Sequence, residues 1–210
     1  YVKTGEFENV KALVIGGSRG LGEVATKLLS AGGAKVTFTY LSGESEAKKI
    51  VQEINSDSEK VNAIQFEVSN FLPSNLPEVN FLVYMTTPFI FSAIKGQFNN
   101  DLFMKFTSHY VQNFSRICTS LVLNNGLRRV LYPSSIAISE LPTNMGEYAA
   151  AKAAAEITCK FLEKTHPNLL IHSPRLNRLE TDQTVSVLPQ KIEDPLPVIL
   201  KELRIALKDI

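Results

Sequence analysis

Apolar positions along this chain of 210 residues follow two rhythms, short unbroken runs and longer stretches with helical spacing, and the two take turns. The first run, Ala12 to Ile15, opens the stretch KALVIGGSRGLGEVATKLLS (Lys11 to Ser30) and suits a buried strand. A glycine-rich turn follows, then a helical pattern that puts Leu21, Val24, Ala25, Leu28 and Leu29 on one face, ended by Gly32-Gly33. Lys35 to Tyr40 is β-branched and aromatic and predicts a second strand. Glu44 to Ile54 predicts a helix with Ala47, Ile50, Val51 and Ile54 inward and Ser45 as a cap just inside its start. Val61 to Phe66 and Phe81 to Met85 are the third and fourth strands. Pro73 and Pro77 between them leave little room for a crossover helix, so one layer of the sheet is expected to be thinly covered. Asp101 to Leu123 predicts a long helix and Arg129 to Tyr132 a fifth strand. An alanine-rich helix over Glu147 to Lys164, a sixth strand at Leu169 to Ile171 and a last helix at Pro197 to Leu207 complete the pattern.

Strands alternating with helices predict a parallel sheet covered on both faces, an α/β doubly wound, Rossmann-like architecture. No repeat, linker or low-complexity tract interrupts it, and residues 1–210 read as a single domain. Ligands of such sheets bind beyond the carboxyl ends of the strands at the switch point. That selects the glycine turn, the residues after Tyr40, Glu67-Val68, Thr86 to Phe91, Ser134 to Met145 and Ser173 to Thr184. In the turn Gly16-Gly17-Ser18-Arg19-Gly20-Leu21-Gly22, Gly16 permits a tight exit from the strand. Gly20 lets backbone approach a pyrophosphate, and Gly22 lets the helix pack on the sheet. The helix start, with its free N–H groups and positive dipole end, then faces phosphate.

Composition narrows the class. Hydrophobic residues make up 44% of the chain, and no apolar run is long enough to span a bilayer. A net charge of +1 gives no general attraction to nucleic acid or to a membrane surface. Cys118 and Cys159 lack metal or redox spacing, so reduced thiols and a cytoplasmic location are expected. His109, His166 and His172 show no ligand spacing and read as surface or packing residues, with no metal assigned. The chain begins at Tyr1 without a methionine, and is expected to be trimmed or cut from something longer.

The most informative stretch is LYPSSIAISELPTNMGEYAAAKAAAE. Tyr148 and Lys152 are four apart and so share a helix face. An ammonium beside a phenol favours phenolate and lowers its pKa, which makes Tyr148 a general acid for carbonyl reduction. Ser135, on the strand-end loop, can donate to an oxygen on which negative charge builds. Glycine turn, Ser135, Tyr148 and Lys152, in this order and at these strand ends, resemble the short-chain dehydrogenase/reductase family, and its β-ketoacyl reductase-like members in particular. The resemblance implies hydride transfer between a nicotinamide dinucleotide and a ketone or β-ketoacyl thioester. It implies that Lys152 also holds the nicotinamide ribose, that Glu67 and Val68 border the adenine, and that Thr86 and Thr181 stand at cofactor-facing positions. It further implies self-association, through Asp101–Leu123 and Glu147–Lys164, where Ala150 and Ala154 allow close approach.

The second strand ends Tyr40-Leu41-Ser42 with no acid at its tip, and Arg19 in the turn can pair with a phosphate. NADP(H) is therefore expected over NAD(H). The chain also departs from the family. Met85-Thr86-Thr87-Pro88 stands where the family has Asn-Asn-Ala-Gly, and Glu67 where it has aspartate. The helix asparagine of the family falls near Thr107 or Ser108, with Asn113 more than a turn later, and Leu176-Asn177 replaces Pro-Gly. Asn177 tolerates a left-handed turn. A seventh strand is not apparent. A dinucleotide-binding module without turnover, and a ketoreductase-like domain of a larger synthase, are the alternative readings.

Overall fold

The computed structural model describes residues 1–55, 60–88, 96–179 and 193–208. Its centre is a six-stranded, wholly parallel sheet built from β1 (Lys11–Ile15), β2 (Lys35–Tyr40), β3 (Val61–Gln65), β4 (Phe81–Tyr84), β5 (Arg129–Leu131) and β7 (Leu170–His172). The strand order is β3-β2-β1-β4-β5-β7, so the winding reverses between β1 and β4. In register, Leu13 lies opposite Thr37 on β2 and Leu82 on β4.

The unbroken apolar runs have a simple cause. Side chains alternate across a strand, and here both faces are buried. Ala12, Val14, Phe81 and Val83 point into a core shared with Phe38, Leu29, Ile199 and Leu203. Leu13, Ile15, Leu82 and Tyr84 point into the opposite core, with Phe106, Tyr110, Phe114 and Ile117. The first face is covered by α1 (Gly20–Ala31), α2 (Glu44–Ile54) and α7 (Pro195–Ala206), the second by α3 (Asn100–Thr107), α4 (Phe114–Asn124) and α6 (Gly146–Thr165).

Several local expectations change. Ser45 does not cap α2, whose N-cap is Gly43 without a side-chain bond; its hydroxyl donates to Glu46 instead. The long third helical pattern is not one regular helix, because a π-helical segment, Ser108–Asn113, separates α3 from α4. Asn177 does not use the left-handed region, and its amide donates to Glu193. Among the described residues the non-glycine with positive φ is Leu141, at 47°, which ends the short helix α5 (Ala137–Glu140). The β3–β4 connection holds no helix, as the prolines require. Phe71 there is 86% exposed, and Arg116 of α4 lies over its ring.

Candidate active site

The glycine turn is hung from β2. Gly16 N–H donates to the Thr39 hydroxyl (3.0 Å), and Gly17 N–H to the Thr39 carbonyl (2.9 Å). Gly16 has φ +81°, and a Cβ on it would come within 3.0 Å of the Thr86 backbone. A Cβ on Gly22 would lie 2.0 Å from the Gly16 carbonyl oxygen, so Gly22 closes the turn on itself. Packing of helix against sheet falls to Gly17, which the motif alone does not single out: its Cβ would meet Phe38 of β2 at 2.5 Å and Thr26 of α1 at 2.8 Å. Gly20 sits at φ +54° as the first residue of α1. Arg19 is the N-cap and supplies no side-chain cap bond, which leaves the first-turn N–H groups of Gly20, Leu21 and Gly22 without a side-chain acceptor among the described residues.

Ser18 is buried under this turn, while the exposed Arg19 reaches across to β2 and donates to the Ser42 hydroxyl at 3.3 Å. Arg19 and Glu46 flank Gly43: a Cβ there would lie 3.4 Å from the guanidinium and 3.5 Å from the carboxylate. Tyr40 is half-buried at the end of β2. Beyond β3, Glu67 is half-buried and Val68 buried, and Arg116 donates to the Val68 carbonyl and so ties this loop to α4. A dinucleotide fits these residues: a tight glycine cradle, an uncapped helix start and a cation at the second strand's tip.

The other half of the site is carried by two short strands outside the main sheet, β6 (Ser134–Ser135) and β8 (Arg175–Leu176). Ser134 donates to Glu156 of α6 (2.6 Å), whose carboxylate also takes a two-pronged grip from Arg175 (2.8 Å each), and Arg175 donates further to Ser139. That contact holds the Glu156 carboxyl below its ordinary pKa. Ser135 is thereby fixed next to α6, where its hydroxyl accepts from Ala137 N–H and lies near enough to Tyr148 to influence its phenol.

Tyr148 and Lys152 both pack against the Tyr110 ring, yet the phenol is not lowered as the four-residue spacing predicts. Burial raises the Tyr148 phenol above its ordinary value, and the nearby Ser135 hydroxyl opposes this. The Lys152 amine instead donates to the Pro133 carbonyl at 2.7 Å and lies over the rings of Tyr110 (4.1 Å) and Tyr132 (4.9 Å). Burial brings its pKa down to about 7.

Pattern reasoning missed the π segment that completes the site. The His109 ring bonds the Thr86 hydroxyl (3.2 Å), and the Tyr110 hydroxyl bonds Thr87. Two consecutive residues of the segment are thus tied to two consecutive residues leaving β4, Thr86 at a family asparagine position and Thr87 at the alanine after it. Tyr84 and Tyr132, from strand ends, donate to the backbone carbonyls of His109 (2.8 Å) and Tyr110 (3.0 Å). A π turn disturbs the i→i−4 ladder, and these hydroxyls supply donors to its carbonyls. His109 is therefore no bystander; burial holds its pKa down at about 4, so it is neutral. Thr107, near the expected asparagine position, has a buried hydroxyl without a partner among the described residues. Glu147, next to Tyr148, is buried and accepts from the Asn99 N–H, joining the starts of α6 and α3. Thr181 and the apolar segment at 89–91 lie outside the described residues.

A continuous set of contacts thus links the glycine turn to Tyr148 and Lys152: Gly16 to Thr86, Thr86 to His109, and Tyr110 to both Tyr148 and Lys152. Residues 10–72 match the short chain dehydrogenase family model. No curated protein matches the chain. Among solved structures, the oxidoreductase yciK from E. coli superposes with a TM-score of 0.84 at 17% identity, covering 100% of this chain and 94% of that one. A short chain dehydrogenase from Burkholderia cenocepacia J2315 in complex with NADP gives 0.80 at 20%, covering 96% and 91%. The 3-hydroxyacyl-CoA dehydrogenase type-2 from Mycobacterium avium gives 0.80 at 19%, covering 97% and 91%. The chain has the short-chain dehydrogenase/reductase fold. Residues 10–72, from β1 through β3, are also similar to that family in sequence. No helix among the described residues is long and apolar enough to cross a membrane.

Proposed function

We propose that this protein is an NADP(H)-dependent oxidoreductase that reduces the carbonyl of a small molecule, a ketone or β-ketoacyl thioester, to an alcohol. The observation that carries the reading is that Tyr148 and Lys152 meet at the Tyr110 ring, with Ser135 near enough to influence the phenol, at a place reached from the glycine cradle through Thr86 and the π segment. NADP(H) bound in the cradle supplies the hydride. Gly16, Ser18, Gly20, Leu21 and Gly22 shape its phosphate site, with Arg19 for a 2′-phosphate, and Tyr40, Glu67, Val68 and Thr86 border the remainder. Thr181 belongs to the same proposed set on sequence grounds. The Tyr148 phenol is protonated at neutral pH, as a general acid requires; burial makes it a weaker acid, and the nearby Ser135 hydroxyl offsets part of that. Ser135 donates to the carbonyl oxygen and orients that phenol. Lys152 contributes positive charge beneath them and a hold on the ribose. Residues 1–210 are taken as one such domain, located in the cytoplasm and working as a homo-oligomer. The NADP-bound Burkholderia relative favours the same cofactor.

The test is NADPH oxidation against a panel of ketones and β-ketoacyl thioesters. Turnover should appear with at least one member and fall by about a hundredfold or more in Tyr148→Phe, the scale of a lost general acid. Unchanged turnover in that variant would refute the mechanism. One observation favours a second reading, a binding module without turnover: the Lys152 amine is engaged by Pro133 and aromatic rings rather than by Tyr148. That module would bind NADPH and oxidise it with no member of the panel.

A further inference from the structure

The Lys152 side chain is buried, yet its charge has an unusual environment. Its amine has one hydrogen-bond acceptor among the described residues, the Pro133 carbonyl, and two ring faces, those of Tyr110 and Tyr132. Glu156, one turn along α6, has both oxygens engaged by Ser134 and Arg175. The groups around the amine are Tyr110 and His109 from the π segment, Tyr132 from the end of β5, and Tyr148, Glu156 and Cys159 from α6. Burial keeps the phenols, the thiol and the imidazole neutral near pH 7, so Glu156 alone of these carries charge.

We propose that Tyr110 is a positioning residue for Lys152, its ring holding the ammonium in place and in its charged form. The inference rests on reading Lys152 as part of the reduction site. Tyr110 is suited to the task because it is itself fixed. It is fully buried, stacks on Phe106 (6.0 Å between centroids), meets Tyr148 edge-on at 5.8 Å, and has its hydroxyl tied to Thr87. The π segment is what brings it there, with its carbonyl pinned by the Tyr132 hydroxyl. A ring face within about 6 Å of a cation stabilises the charged form, most strongly where water is excluded. Since burial leaves Lys152 titrating at about 7, that contribution decides whether the ammonium persists at neutral pH.

The experiment follows the 13Cε resonance of Lys152 through a pH titration of the nucleotide-free protein, with Lys152→Met assigning the signal. Tyr110→Phe keeps the ring and should titrate like the parent. Tyr110→Leu should titrate about one pH unit lower, a tenfold change in the charged fraction. Should Tyr110→Leu not fold, pentafluorophenylalanine at position 110 keeps the shape while reversing the ring's charge distribution, and should give the same fall. A midpoint unmoved in Tyr110→Leu or in the fluorinated protein overturns the proposal. So does a Tyr110→Phe midpoint that falls as far, since the Thr87 bond would then be responsible. No cofactor is present, so a protein that shows the shift but oxidises no NADPH refutes the reductase reading and leaves this one intact.

Discussion

Removing the Arg19 guanidinium should separate the two nicotinamide dinucleotides. Its fork extends over the tip of β2, held among the described residues by one long, exposed bond of 3.3 Å to Ser42, so it can turn onto a 2′-phosphate without breaking a buried contact. A hydrogen bond to a charged partner contributes about 1.5–3 kcal/mol net, and Arg19 is exposed, where solvent and salt screen it toward the lower figure. At about 1.5 kcal/mol, Arg19→Ala should weaken NADPH about tenfold. Glu46 adds to the loss. Its carboxyl is held below the ordinary value by the Ser45 hydroxyl, its own backbone N–H and the Arg19 charge, so it stays ionised and would then face the phosphate without its neighbouring cation. NADH has no 2′-phosphate and should shift less than about twofold on the same argument. Nicotinamide fluorescence reads both affinities, and a chain without tryptophan contributes little background. Repeating the titration at high salt should shrink the preference. Equal losses for the two nucleotides, or no loss for NADPH, would refute the assignment of Arg19.

Two further predictions concern the frame. Gly22→Ala places a Cβ 2.0 Å from the Gly16 carbonyl, so the turn must move. It should lose about 1–3 kcal/mol of stability by thermal melting and most of its nucleotide affinity; an unchanged melting temperature with full binding would mean the turn is not closed as described. The Glu6–Arg204 pair joins the N-terminal turn to α7, and the arginine holds the Glu6 carboxyl well below its ordinary 4.5, at about 2. A carboxyl depressed in the folded state adds stability above about pH 4.5 that is lost as pH falls toward 2. Arg204→Ala should therefore lower the melting temperature at pH 6 and converge with the parent near pH 2. Parallel curves down to pH 2 would rule the linkage out.

The fold was legible because its strands are buried on both faces. A run such as Ala12 to Ile15 cannot alternate when one neighbour faces Phe38 and the next faces Tyr84, and unbroken apolar runs flanked by helical periodicity have few other solutions. β2 and α2 end where pattern and turn residues place them. The two-residue strands β6 and β8 left no such mark, since they are too short to show a period. Their pairing is set by Arg175 and Glu156, nineteen residues apart and meeting in three dimensions alone.

The same limit explains the site. Spacing brings Tyr148 and Lys152 to one helix face, but it says nothing about what lies opposite. What lies opposite is Tyr110, whose ring takes up the ammonium that the spacing assigns to the phenol. A π turn has no sequence signature comparable to a glycine or a proline; it persists because tertiary partners satisfy it. Here those partners are Tyr84 and Tyr132 on its carbonyls and Thr86 and Thr87 on its side chains. Thr86, at a family asparagine position, and Thr87 after it are therefore parts of one arrangement with the π segment. Together they supply two rungs between the end of β4 and the π segment, Thr86 to His109 and Thr87 to Tyr110.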